Sequence, residues 1–324
     1  MTAAMAAALL PHTAVAEAVL AAPPPLMPDP QAPDFKRNRI RLYNPEQANL
    51  AGYIRASAAR GLPMIRPGAL AGRKALLVGT GPSLDARGGR ALVARKAKGR
   101  VVVGVKMATR ILADRGIAVD YAVACHPEAR EVEKTPIVPG VTYIVASCCH
   151  PALFDHLLGA GCPVQVFHSY CGGFVEPGSG LSEGGLYRAL FAGDDWVAIG
   201  GQTVLNRAIA ALYRLGIAHV TLAGADFGVR PPADTVPGAA PARDPLAPYY
   251  ARAATGAIMP NAVFVDDGGR IDGRPWRTQP PLIVSAVSVA RLILGGYVGV
   301  IGDSLAKSLA RKPDLLDRAV TGTV

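Results

Sequence analysis

The stretch KALLVGTGPSLDARGG, residues 74–89, decides the fold, because an apolar segment runs through two glycines into a predicted helix. Gly79 and Gly81 permit a tight turn, Pro82 suits the first turn of a helix, and Ser83 suits its capping. A turn between a strand and a helix can present backbone N–H groups to a phosphate. The same residues also fit a purely structural tight turn.

Strands and helices alternate on the C-terminal side of this stretch. The strand at 75–78 and a helix at about 85–98 are followed by strands within RVVVGVK, DYAVAC, VTYIVAS, PVQVFHS and HVTLAGADF, and by a late helix at about 281–294. This alternation predicts an α/β fold with a Rossmann-like, doubly wound and mostly parallel sheet. Residues 172–198 are Gly-rich and are expected to be irregular, and the Pro/Ala-rich residues 230–248 predict a long loop.

The chain divides into four predicted parts. Residues 1–33 are an Ala/Pro-rich extension expected to be disordered, and residues 34–70 are a helical lead-in with one helix at about 45–60. Residues 71–310 form the main domain, and residues 311–324 a tail. The N-terminus lacks the basic start of a signal peptide, and no apolar run reaches the roughly 18 residues of a membrane-spanning helix. A cytoplasmic location is therefore expected.

Composition points to an anionic ligand. The 34 basic and 24 acidic residues give a net charge of +10, which favours partners such as nucleotides. No dense basic run is interleaved with aromatic residues, so nucleic-acid binding is not expected. The five cysteines are an odd number without regular spacing, which fits a reduced, intracellular setting. They form no CxxC pair, which disfavours structural zinc.

The turn differs from two common phosphate-binding motifs. A dinucleotide fingerprint would have a third glycine and an acidic residue at the end of the second strand, where this chain has Lys106. A Walker A loop is excluded because no GK[ST] follows the glycines. The turn therefore fits neither motif, and Lys106 would lie beside any phosphate that docks there.

Two further stretches have residues suited to ligand binding. Gly200, Gly201, Gln202 and Thr203 precede a strongly periodic helix, where they fit either an anion site or a simple helix cap. Asp226 ends an apolar strand, at the position where open α/β sheets bind ligands. An aspartate there also fits the capping of a turn.

His126 is the best placed of the six histidines for proton transfer, because it follows the strand DYAVAC directly. A structural role is the alternative. His150 precedes a proline and suits a helix cap, and His168 follows the apolar PVQVF and suits a packed position at the edge of the core.

Three segments resemble the 6-hydroxymethylpterin diphosphokinase MptE-like family: LLVGTGPSL, ATRILADRGIAVDYAVACHP and GGQTVLNRAIAALYRLGIAHVTLAGADFG. That family includes the Rossmann-like domain of the flagellar motility accessory factors, which are nucleotide-sugar-dependent glycosyltransferases. The order and spacing are also similar to those of bacterial CMP-sialic-acid-dependent sialyltransferases. The resemblance covers about residues 70–310.

The resemblance implies roles for individual residues. The Gly79–Ser83 turn would contact the phosphates or ribose, residues 200–203 would lie against the nucleotide or its activated group, and Asp226 would line the same cleft. Relatives often have an aspartate where this chain has His126, which weakens a Mg²⁺-dependent diphosphokinase mechanism. The late histidine of the sialyltransferases has no counterpart, because no histidine follows His219.

The function expected from these observations is a nucleotide-dependent transferase, most concretely a glycosyltransferase with a CMP-type sugar donor and an unknown acceptor. His126 or Asp226 would act as the base. No tightly bound cofactor is expected, and Mg²⁺ is left open. The alternatives are an ATP/Mg²⁺-dependent diphosphokinase that acts on a pterin-like alcohol, and a nucleotide-binding module without catalysis.

Overall fold

The computed structural model describes residues 49–85, 89–171, 174–198, 203–228, 263–265, 276–278 and 280–313. The predicted extension at 1–33, the start of the lead-in and the predicted loop at 230–248 lie outside these residues. The lead-in helix, predicted at 45–60, is α1, Leu50–Ala58.

Eight of the described strands form one sheet in which each neighbouring pair is parallel. Their spatial order is β10-β7-β1-β2-β3-β4-β5-β6, and two short strands, β8 and β9, form an antiparallel pair. The strands are β1 (Lys74–Val78), β2 (Val101–Val105), β3 (Tyr121–Ala124), β4 (Thr142–Ala146), β5 (Val164–Ser169), β6 (Val197–Ala198), β7 (His219–Ala223), β8 (Val263–Val265), β9 (Trp276–Thr278) and β10 (Val298–Val300).

Helices connect most of these strands. After α1 they are α2 (Gly89–Ala97), α3 (Ala108–Asp114), α4 (Glu131–Lys134), α5 (Pro151–Gly159), α6 (Glu183–Leu190), α7 (Val204–Arg214), α8 (Pro280–Leu294) and α9 (Leu305–Ala310). Within the described ranges, no helix combines the length and the apolar character needed to cross a membrane.

Both faces of the sheet are covered, as the doubly wound prediction requires. Ala75 and Leu77 of β1 belong to the larger core cluster, whereas Leu76 and Val78 face a second cluster with α2 and α3. Because all four side chains are buried, β1 is a continuous apolar run instead of an alternating one. The predicted α/β, Rossmann-like fold is confirmed.

Strand order places a switch point beside β1. The chain adds β2 to β6 on one side of β1 and then returns to place β7 and β10 on the other side. In open α/β sheets, ligands bind outside the carboxyl ends of the strands at such a point. Here this position lies between the turns that follow β1 and β7.

Two sequence predictions differ from the structure. The helix predicted from about residue 85 is instead a short 3-10 helix, Pro82–Leu84, followed by α2 from Gly89. Residues 172–198, predicted to be irregular, contain α6. Leu186 and Tyr187 are fully buried there, and this packing outweighs the low helix propensity of the two glycines in the first turn.

Candidate functional site

The turn after β1 is hydrogen-bonded to the turn after β7. The Gly79 N–H donates to Ala223 O at 2.9 Å, and the Gly81 N–H donates to Gly224 O at 2.9 Å. These bonds continue the parallel ladder between the two strands beyond its regular end. The two strand ends therefore form one connected surface at the switch point.

The glycines of the β1 turn allow this close approach. A Cβ atom at Gly79 would lie 2.6 Å from Gly224 O, and one at Gly81 would lie 2.7 Å from the same oxygen and 2.8 Å from Asp226 Cγ. Gly224 itself has a φ of 60°, which favours glycine. The side-chain positions of Gly79 and Gly81 thus face the β7 turn, and their contact with a nucleotide stays a prediction.

Pro82 and Ser83 begin the 3-10 helix. Pro82 occupies its first position, where a missing N–H costs no hydrogen bond. The Ser83 N–H donates to Asp226 Oδ2 at 2.7 Å, and the Ser83 hydroxyl donates to Asp226 Oδ1. Ser83 is therefore held by Asp226, and its predicted contact with a phosphate is not tested by this geometry.

Asp226 links three strand ends. Its carboxylate binds the β1 turn, and its backbone oxygen accepts from the Leu305 N–H, at 2.9 Å, in the segment after β10. The Asp226 side chain is buried, and this burial raises its pKa to about 7, with a further rise from the negative charge of Asp303. The two Ser83 donors favour the ionised form and oppose this rise.

Lys106 lies at the carboxyl end of β2, next to the β1 turn in the sheet. Its ammonium group donates to Glu131 Oε2 at 3.0 Å, and its side chain is 22% exposed. Glu131 is fully buried, and its Oε1 has no hydrogen-bond partner within the described part of the chain. Sequence reasoning missed Glu131, because the segment REVEK reads as an exposed charged helix.

His126 lies just beyond the carboxyl end of β3, with 44% of its side chain exposed. Its Nδ1 accepts from the Glu128 N–H at 3.4 Å. Partial burial lowers the pKa of His126 to about 4, and the positive charge of Lys106 is the next largest cause. The imidazole is consequently neutral at neutral pH, and the lowered pKa also makes it a weaker base than an ordinary histidine.

Thr203 caps α7. Its hydroxyl accepts from the Asn206 N–H at 3.4 Å and donates to Asn206 Oδ1 at 2.6 Å, so the helix-cap interpretation is confirmed. Gly200, Gly201 and Gln202 lie outside the described residues. The nucleotide-binding role of all four residues stays a prediction.

The structural interpretations of two other histidines are confirmed. His150 is the N-cap of α5, and its Nδ1 accepts from the Ala152 N–H at 3.1 Å. His168 is fully buried, lies 2.9 Å from the Ser147 hydroxyl through Nδ1 and stacks on Tyr187. Unlike the fully buried His168, His126 is partly exposed, and it lies directly beyond the end of a strand.

Metal ligands are not grouped in the described residues. No set of three or more His, Cys, Asp or Glu side chains there is arranged to hold a metal ion. The buried Asp226 carboxylate receives one hydrogen bond from Ser83 at each of its oxygens. The described residues therefore do not form a dedicated Mg²⁺ cage.

The family model described as 6-hydroxymethylpterin diphosphokinase MptE-like matches residues 49–231. This chain belongs to the MptE-like family. The matched range includes the β1 turn, Lys106, His126 and Asp226, so the whole described site lies in the MptE-like part of the chain.

The MptE-like fold recurs in a solved structure, the MAf glycosyltransferase from Magnetospirillum magneticum AMB-1. The TM-score is 0.51 at 17% sequence identity, and the match covers 83% of this chain and 42% of that chain. This chain therefore spans less than half the length of that glycosyltransferase, and the likeness is one of fold. No curated protein matches the chain.

Proposed function

We propose that the chain is a nucleotide-dependent transferase that moves a sugar from a CMP-type nucleotide donor to an acceptor hydroxyl group. The observation that carries this proposal is the alignment of three strand ends at one edge of the sheet. They present the β1 turn held by Asp226, the Lys106 ammonium group and the His126 imidazole. An anion-binding cation and a neutral base beside a switch point suit transfer from a nucleotide.

Lys106 is the residue proposed to bind the donor phosphate. The backbone N–H groups of Gly79, Gly81 and Ser83 already donate to β7 and the turn after it, so Lys106 is the better source of positive charge for a phosphate at this edge. The negative charge that develops on the leaving nucleotide phosphate would be stabilised by the Lys106 ammonium group. This assignment agrees with the surplus of basic residues in the sequence.

His126 is the residue proposed to accept the proton of the acceptor hydroxyl. Its side chain is partly exposed and its imidazole is neutral, whereas Asp226 is buried with both carboxylate oxygens bound to Ser83. Asp226 is therefore proposed to fix the β1 turn for donor binding. Its raised pKa keeps it as the second candidate for the base.

A diphosphokinase activity is the second candidate function, because the family model that matches the chain is described by that reaction. It transfers diphosphate from ATP and depends on Mg²⁺ held by carboxylates and phosphates. The glycosyltransferase with the shared fold and the His126 imidazole favour sugar transfer.

A ligand screen separates these functions. Thermal unfolding of the full chain is measured with CMP, CDP, UDP, GDP and ATP, each with and without Mg²⁺. Stabilisation by CMP or CDP without metal is expected. A response to ATP with Mg²⁺ alone contradicts the proposal in favour of the diphosphokinase, and no response to any nucleotide contradicts both enzymatic functions.

Turnover is tested with CMP-activated sugars and a panel of sugar acceptors, by the release of CMP. Exchange of His126 for Asn should lower turnover by on the order of 10²- to 10⁴-fold while CMP still binds. Asp226→Asn should instead weaken donor binding. His156→Ala, a partly exposed residue in the last turn of α5, is the matched control and should keep wild-type activity. Binding of CMP without turnover of any donor would indicate a non-catalytic module.

A further inference from the structure

Lys106 has a backbone conformation that its side chain disfavours. Its φ is 52°, in the left-handed region that glycine occupies far more easily. The carbonyl of Lys106 accepts from the Thr109 N–H at 3.0 Å, so the chain turns sharply here into α3. Glycine would make this turn with less strain, and the lysine side chain therefore has to be explained by something other than the turn. Strained residues of this kind cluster at ligand-binding sites.

Glu131 is the anion that meets this lysine. It is fully buried in α4, one carboxylate oxygen lies 3.0 Å from the Lys106 ammonium group, and the other has no hydrogen-bond partner in the described chain. Buried ion pairs add little net stability, because the desolvation of both charges offsets their attraction. A carboxylate buried with one oxygen unpartnered costs stability as well. Stability alone thus does not account for the pair.

The ammonium group of Lys106 retains donors for a ligand. A lysine has three N–H groups. Within the described residues, Lys106 uses one of them, in its hydrogen bond to Glu131. The side chain remains 22% exposed, whereas Glu131 is inaccessible. An anion can therefore approach the lysine from the solvent side while Glu131 holds it from the protein side.

We propose that Glu131 is a positioning residue, which holds the Lys106 ammonium group at the carboxyl end of β2 so that it binds a phosphate group of the ligand. That the phosphate belongs to a nucleotide rests on the proposed function; the phosphate subsite itself does not. Glu131 acts through Lys106 and has no contact with the ligand.

The test is calorimetric titration of the full chain with inorganic pyrophosphate. Lys106→Met should weaken binding by about tenfold or more, because it removes a charge-assisted hydrogen bond. Glu131→Gln keeps an oxygen that accepts from Lys106 and removes the competing charge, so pyrophosphate should bind at least as tightly as to the wild type. Glu131→Leu keeps the lysine but removes its anchor, and binding should weaken.

Two further variants separate binding from folding. Lys106→Met combined with Glu131→Leu replaces the ion pair by apolar side chains, and it should stay folded and still bind pyrophosphate weakly. Lys134→Met removes a nearby exposed positive charge that pairs with Glu128, and it should keep the wild-type affinity within about fivefold.

Several outcomes overturn the proposal. They are the absence of pyrophosphate binding by the wild type, wild-type affinity in the folded double variant, and wild-type affinity in Glu131→Leu. Binding of CMP without binding of pyrophosphate would overturn this subsite and leave the proposed function standing. Binding of pyrophosphate that depends on Lys106, without a response to any nucleotide, would support the subsite and contradict the proposed function.

Discussion

Ser83 donates both its backbone N–H and its hydroxyl to the carboxylate of Asp226, a residue 143 positions later in the chain. The bond joins the turn after β1 to the turn after β7 across the switch point of the sheet. Asp226 is buried, so the ionised form of this carboxylate depends on Ser83 for its stabilisation. The shape of the candidate ligand site is thereby linked to the protonation of one side chain.

The first prediction concerns pH and Asp226. Its pKa is about 7 in the folded protein and near 3.8 in an unfolded chain, so between these values only the folded protein retains the proton. The stability from this group is complete below pH 3.8 and is lost as the pH rises through 7. Asp226→Asn cannot ionise. Relative to the wild type, its free energy of unfolding should rise by on the order of 4 kcal/mol between pH 4 and pH 8.

Urea unfolding of the wild type and of Asp226→Asn at each pH unit measures the difference between their free energies of unfolding. The other titrating groups are the same in both proteins, so their contributions cancel. Exchange of Asp303 for Asn is the companion variant. The negative charge of Asp303 raises the pKa of Asp226, so its removal should move the midpoint of the change to lower pH. A difference between wild type and Asp226→Asn that stays constant from pH 4 to pH 8 would contradict the raised pKa.

The second prediction concerns the space beside Gly81. A Cβ atom there would lie 2.7 Å from Gly224 O, a backbone atom that cannot move alone, so Gly81→Ala should lower the free energy of unfolding by about 1–3 kcal/mol. Gly52→Ala is the control. Gly52 is exposed within α1 and a Cβ atom there meets nothing within 4 Å, so alanine should stabilise the helix by up to about 1 kcal/mol. Equal stability of the two variants would show that the turns can separate without cost.

The central strands could be predicted because each is a short, mainly apolar run that ends in a turn signal. The β1 and β7 strands are buried on both faces and need no knowledge of their partners to be recognised. Helix α6 could not be predicted in this way, because glycines at 184 and 185 argue against a helix. The segment is helical because Leu186 and Tyr187 become buried in the folded chain.

The candidate site was predicted in part. Strand ends are visible in the sequence, so Lys106, His126 and Asp226 could be placed at one edge of the sheet. The two hydrogen bonds from Ser83 to Asp226 and the burial of Glu131 could not be predicted, because both depend on residues brought together by tertiary packing. The glycines were predicted to admit a ligand, whereas the space beside them faces Gly224, a contact that no local pattern encodes.

The third prediction concerns Tyr143, which is fully buried in β4. Its hydroxyl accepts from the Val138 N–H at 2.8 Å and donates to Pro136 O at 2.7 Å. Tyr143→Phe leaves these two backbone groups without that partner and should lower the free energy of unfolding by about 1–3 kcal/mol in urea. Tyr121→Phe, in the half-buried first position of β3, is the control and should stay within about 0.5 kcal/mol. If Tyr121→Phe lowers the free energy of unfolding as much as Tyr143→Phe does, the loss does not come from the hydrogen bonds of the Tyr143 hydroxyl.

The fourth prediction concerns the protonation of His126, followed by NMR of protein with isotope-labelled histidine and assigned with His126→Gln. The imidazole should titrate well below the ordinary value of 6.5, near pH 4. Lys106 lowers this pKa more than Lys134 does, so Lys106→Met should raise it further than Lys134→Met. Glu128 raises the pKa, so Glu128→Gln should lower it. A pKa of His126 near 6.5 that none of the three variants changes would show that Lys106 does not act on the imidazole. The proposed base and the proposed phosphate contact would then not share one site.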